Sequence, residues 1–231
     1  MKMVSRLGLL LLVFTADTYV QTTAVGPNGP PTQLVLRSRV VHFDLTDATL
    51  IDALSKLSRE PIPDLHLGIE EIIQDENSHP VDRSVRFSLS LHDVTVRDII
   101  DTLCKFDSRY IWSVDGSSVN VYPGETVGNS SYLLNRELDS IALENIYRPS
   151  DALTALMKLL PGEQLGYAGI GIGIDNDYPK PWNAVFFNLT VRQLMNRLSE
   201  HNGPNRGWIW SGSTGQRFFG YFQHGFVIGG R

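Results

Sequence analysis

The chain has 231 residues, with 20 Lys and Arg against 25 Asp and Glu, a net charge of −5. Hydrophobic residues make up 42% and charged residues 19%, which excludes a disordered chain and an integral membrane bundle. The acidic balance, with a pI near 5.6, argues against nucleic acid as a partner, and the single cysteine, Cys104, excludes an intramolecular disulfide or a Cys-based zinc site. The length suits one or two domains, either able to bury a core.

Residues 1–24 have the layout of a secretory signal peptide. Lys2 and Arg6 are followed by an apolar run from Leu7 to Phe14, then by small and polar residues ending at Thr22-Thr23-Ala24, the nearest small-x-small cleavage option. An uncleaved N-terminal anchor is the competing reading. A lipid-anchored form is not expected, because no cysteine follows the run. Residues 25–38 read as a linker, with Val25 to Thr32 rich in Pro and Gly.

Val41, Phe43 and Leu45 alternate with His42, Asp44 and Thr46, the period of a half-buried strand. A helix follows, capped by Thr49 with Asp52 and carrying Leu50, Ala53, Leu54 and Leu57 on one face. Val85, Phe87, Leu89 and Leu91 alternate with polar residues as a second strand. Thr95 and Asp98 then cap a helix with the stripe Val96, Ile99, Ile100 and Leu103. Arg109 to Val114, Asp115-Gly116 and Ser117 to Tyr122 read as a hairpin with an Asp-Gly turn.

The pattern then repeats. Asp52-Ala53-Leu54 recurs 99 residues later as Asp151-Ala152-Leu153, Thr95-Val96-Arg97 recurs 95 later as Thr190-Val191-Arg192, and Ile111-Trp112-Ser113 recurs 98 later as Ile209-Trp210-Ser211. The order is kept and the drift is that of loop insertions. A helix opening at Pro149 carries Ala152, Leu153, Leu156, Leu159 and Leu160. Another, capped by Thr190 with Gln193, carries Val191, Leu194, Met195 and Leu198. Trp208–Ser211 and Gln216–Phe222 form a second hairpin. The expected fold is α+β: two tandem β-α-β/β-α-β-β units over residues 39–124 and 132–223, each with two helices packed on small sheets, and a tail at 224–231.

The run from Val41-His42-Phe43-Asp44-Leu45 into Leu50, Ala53, Leu54 and Leu57 resembles the short N-terminal domain of secretins and TonB-dependent receptors, whose helix is of the L-x-x-A-L-x-x-L type. The likeness covers roughly residues 39–123 and, more weakly, 138–222. It implies a periplasmic docking module of two helices between small sheets, with no catalytic residues and no cofactor. The Gly-rich stretch Gly166 to Gly173 departs from the pattern. No barrel or secretin ring domain is expected to follow the second unit, so a pore role is not expected.

Other motifs have bland readings. Gly169 to Ile174 lacks the following helix of a phosphate loop, and a closely packed strand fits better. Asp175 and Asp177 lack the later ligands of a calcium loop. The six histidines, at 42, 66, 79, 92, 201 and 224, show no metal-ligand spacing and read as isolated. Cys104 reads as a buried small residue. Glu70, Glu71, Asp75 and Glu76 read as a solvated face. The feature above background is aromatic: Trp208, Trp210, Phe218, Phe219, Tyr221 and Phe222 crowd fifteen residues of a chain averaging 10% aromatic. Core packing accounts for some. Trp208, Phe218, Phe219, Tyr221 and Phe222 are the candidate binding face.

Three functions compete. The first is a non-catalytic docking protein of the bacterial envelope, periplasmic or secreted. It would capture an envelope protein by strand addition at the edge of Ser117–Tyr122 or Gln216–Phe222. The second is a carbohydrate- or peptide-binding protein using the aromatic face. The third is a hydrolase, for which no positioned acid/base pair can be read.

Overall fold

The computed structural model describes residues 31–62, 64–72, 85–160, 165–168, 181–201, 206–213 and 216–223. The leader read at 1–24, Asp75, Glu76, His79, Asp175, Asp177, His224 and the run Gly169–Ile174 lie outside them. The fold is α+β, built from two similar units.

The first unit opens earlier than the linker reading placed it. Helix α1 (Pro31–Arg37) buries Val35 and Leu36 in the first core. Strand β1 (Arg39–Ala48) pairs antiparallel with β3 (Phe87–Thr95) as a two-stranded ribbon. Helix α2 (Leu50–Leu57) and helix α3 (Val96–Phe106) both begin with complete capping boxes, Thr49 with Asp52 and Thr95 with Asp98. Their predicted stripes are buried to the last residue. Between α2 and β3 runs β2 (His66–Glu70). Strands β4 (Tyr110–Asp115) and β5 (Ser118–Pro123) form the hairpin. Its turn is Gly116-Ser117, with Gly116 at φ +61°, one residue later than the Asp-Gly reading. Val85 precedes β3 and is exposed, and so is Val41.

The second unit repeats this order with β6 (Glu137–Ile146), α4 (Pro149–Leu159), β7 (Leu165–Ala168), β8 (Trp182–Thr190), α5 (Val191–His201), β9 (Arg206–Ser213) and β10 (Gln216–Gln223). The repetition reaches backbone detail. Val40, Phe43, Leu45 and Ala48 are buried in β1, and Leu138, Ile141, Leu143 and Ile146 at the same positions of β6. Both ribbons shift register there, between Leu45 and Ala48 and between Leu143 and Ile146. Asp47 and Asn145 take positive φ at those irregularities, as Asp93 and Asn188 do elsewhere in the ribbons. Asp and Asn tolerate this left-handed region better than other side chains with a Cβ. The Val96 N–H donates to the Ser38 carbonyl, and the Val191 N–H to that of Arg136, both at 3.0 Å. The repeat therefore covers the lead-in turns as well. In α4, Leu159 is exposed rather than part of the stripe, at the rim of the apolar face as the helix ends.

The units share one six-stranded sheet, in the order β4-β5-β2-β9-β10-β7. The middle contact is parallel, β2 against β9, with Leu67 opposite Gly207 and Ile69 opposite Ile209. Strands β5 and β10 are therefore interior. This corrects the expectation that Ser117–Tyr122 and Gln216–Phe222 are free edges: β2 and β7, too short and irregular to read, add in parallel onto them. Among the described residues the edges are β4 and β7. No described helix is long and apolar enough to cross a membrane.

Candidate docking face

The sequence singled out the aromatic cluster, and the structure puts its best-defined members inside. Trp208, Trp210 and Phe219 are all 0% exposed and belong to the second core. The Phe219 ring lies 4.5 Å from that of Trp210 and edge-on to Trp208 at 6.5 Å. Trp208 Nε1 donates to Asn196 Oδ1 at 2.8 Å. Trp208 and Phe219 thus present no surface to a ligand. They fill the space where α5 crosses the sheet, which small side chains would leave as a void. The side chains of Phe218, Tyr221 and Phe222 lie outside the described residues.

The second correction concerns Glu70. It is fully buried, not solvated. The Arg192 guanidinium grips both its oxygens, through Nε to Oε1 and through Nη2 to Oε2 at 3.1 Å. Arg192 also donates to Asn135 Oδ1 at 2.7 Å and stacks over the Tyr122 ring at 4.5 Å. Burial pushes the Glu70 carboxyl upward and Arg192 opposes it. Beside it, the Ser211 hydroxyl donates to Glu71 Oε2, whose carboxyl burial also raises. Further along α5, Asn196 donates to Asp115 at 2.9 Å, and Glu200 accepts from the Ser117 N–H at 3.0 Å. Close approach is needed here. A Cβ on Gly68 would come within 2.3 Å of Asn120 Oδ1 and 2.6 Å of the Trp208 ring. These groups weld the two units together.

What remains open is the outward face of the two ribbons. In β1–β3, His42 faces His92 and Asp44 faces Ser90. Nδ1 of His42 meets Nδ1 of His92 at 2.8 Å, and the Ser90 hydroxyl donates to Asp44 Oδ1 at 2.5 Å. The histidines read as isolated are thus, in this pair, partners across the ladder, a contact no spacing along the chain reveals. Among the described residues no group of three His, Cys, Asp or Glu is arranged to hold a metal.

The matching face of β6–β8 carries two large apolar side chains. Phe187 sits opposite Ser140 and Val185 opposite Ala142. Phe187 is 66% exposed and Val185 56%. Cys104, on α3, is half-buried, and its thiol is pushed up to about 12 by burial, so it is no nucleophile at neutral pH.

No family model, curated protein or solved structure matches this chain.

Proposed function

We propose that the chain is a non-catalytic docking protein and that the β6–β8 ribbon is the face that meets its partner. The observation that supports this is the exposed pair Val185 and Phe187, at the positions that the polar Ser90 and His92 hold in the first unit. Exposed aromatic and branched side chains side by side on a flat ribbon suit a protein surface better than a small polar ligand. Both strands of the ribbon also have an unpaired side among the described residues, where a partner strand can add. The leader-like N-terminus and the likeness to the secretin and TonB short N-terminal domain make the bacterial envelope the compartment of this reading. Of the aromatic-groove alternative, Trp208 and Phe219 are buried and drop out as lining residues, which leaves Phe218, Tyr221 and Phe222 to carry it.

The test compares the full chain with Val185→Ser/Phe187→Ser and with His42→Ala/His92→Ala as baits for envelope proteins. Loss of the captured set with the first variant alone, together with slowed hydrogen exchange of residues 182–190 in the purified complex, is the expected result. Equal capture by all three removes the face from consideration.

A further inference from the structure

We infer that copies of this chain join head to tail through the two outer strands of the shared sheet, β4 of one against β7 of the next. This is independent of the ribbon face. The molecule already contains this contact once. Within the sheet the first unit contributes β4-β5-β2 and the second β9-β10-β7, in the same left-to-right order. The strand that ends the first unit, β2, meets the strand that begins the second, β9. Their counterparts are β7 and β4, and these are the two edges of the sheet among the described residues.

The pairings fix how the units are related. Strand β5 is parallel to β2, β2 to β9, and β9 is antiparallel to β10. The second unit therefore keeps the strand order of the first and reverses every direction. That is a half-turn about the line running across the sheet, combined with a step of three strands, about 14 Å at the usual strand spacing. A half-turn also exchanges the faces. Leu67 and Ile69 point into the first core, while Gly68 and Glu70 point to Trp208 and Arg192 of the second unit. A head-to-tail relation of this kind does not close on itself, so a further copy continues it.

Three features of the free surfaces fit. First, Leu67-Gly68 in β2 has its match in Leu165-Gly166 in β7, so the glycine that in β2 lets a neighbouring ring approach the strand is repeated at the same position of β7. Second, α5 and α3 differ in what covers them. Asn196 and Ser199 of α5 are buried under the first unit, whereas their counterparts on α3, Asp101 and Cys104, are only partly covered. Third, β4 carries neither Pro nor Lys, the residues that usually blunt an edge. One element is not repeated. Ala168 stands where Glu70 stands in β2, and Arg97, the counterpart of Arg192, stacks over Trp112 at 5.2 Å instead. The contact between copies therefore lacks the ion pair of the contact within the chain and is the weaker of the two.

The register follows from the internal contact: Tyr167 of one copy lies opposite Ile111 of the next. The full chain, followed by sedimentation over a wide concentration range, is expected to pass from monomer to an open series of oligomers. The double variant Tyr167→Cys/Ile111→Cys in a Cys104→Ser background, oxidised, is expected to give a ladder of linked chains, with at most dimers from either cysteine alone. Ala168→Glu supplies Arg97 of the next copy with a carboxylate and is expected to lower the concentration of half-assembly about tenfold, or about 1.4 kcal/mol. Monomer at every concentration for both the native chain and Ala168→Glu overturns the inference. So does linkage by Ile111→Cys alone as efficient as by the pair, which would mean like edges meeting.

Discussion

Ribbon β1–β3 and ribbon β6–β8 bury the same positions, shift register at the same place and bend through Asp47 and Asn145 alike. Their outward positions differ residue by residue. His42, Asp44, Ser90 and His92 in the first stand where Ser140, Ala142, Val185 and Phe187 stand in the second. Inward residues answer to packing, which leaves little freedom. Outward residues are under no such constraint, and the difference between the ribbons is what the proposed docking function rests on.

The largest expected break in the likeness between units is at Arg192 and Arg97, which occupy the same helical position. Arg192→Ala leaves Glu70 buried without its cation and should cost about 3–5 kcal/mol. Arg97→Ala loses a contact with the Trp112 ring and should cost about 0.5–1 kcal/mol. Denaturant unfolding of the two variants reads the contrast, and equal losses would mean that the junction contributes nothing special.

A pH series sharpens the same point. Burial holds the Glu71 carboxyl above its ordinary value near 4.5, so the folded chain binds that proton more tightly than the unfolded one. Its contribution to stability is fully present below 4.5 and is lost as the pH rises through the raised value. Glu71→Gln should flatten the decline in denaturation midpoint between acid and neutral pH. An unchanged slope would place Glu71 in water.

Where the units are alike, matched variants should behave alike. Thr95→Ala and Thr190→Ala each remove an oxygen that accepts a helix N–H, from Asp98 at 3.1 Å and from Gln193 at 3.2 Å. Each should cost about 1 kcal/mol in thermal or chemical unfolding. The smallest effect on stability belongs to the ribbon surfaces. Exchanging them, with Ser90→Val/His92→Phe in one and Val185→Ser/Phe187→His in the other, should change stability by no more than about 0.5 kcal/mol. Binding of a hydrophobic dye should move with the apolar pair from one unit to the other. Dye binding unchanged by the exchange would dissociate it from this face.

Helices α2, α3 and α5 were legible because each carries its own stripe and its own cap: Val96, Ile99, Ile100 and Leu103 behind Thr95 need nothing remote to declare themselves. Strand β2 was not. All five of its residues are buried, so it has no alternation, and a glycine sits at its centre. With β2 and β7 unread, β5 and β10 looked like edges. The available signal was the spacing: Leu165-Gly166 follows Leu67-Gly68 by the same 98 residues that separate Trp210 from Trp112. Glu70 was misread because its partner is 122 residues away, and charge beside charge along a chain says nothing of such a pairing. The aromatic cluster was visible, but composition cannot tell a lining from a filling. Trp208 and Phe219 proved to be filling.

Strand β9 belongs to both halves. Its Ile209 plugs the first core while Trp208 and Trp210 on either side of it plug the second. A wall shared by two rooms cannot be removed from one alone. A truncated gene encoding only residues 31–131 would leave β2 with a raw hydrogen-bonding border and Ile69 facing a hole, and would yield insoluble protein rather than half a molecule. The second half completes the core of the first, and neither is expected to fold by itself.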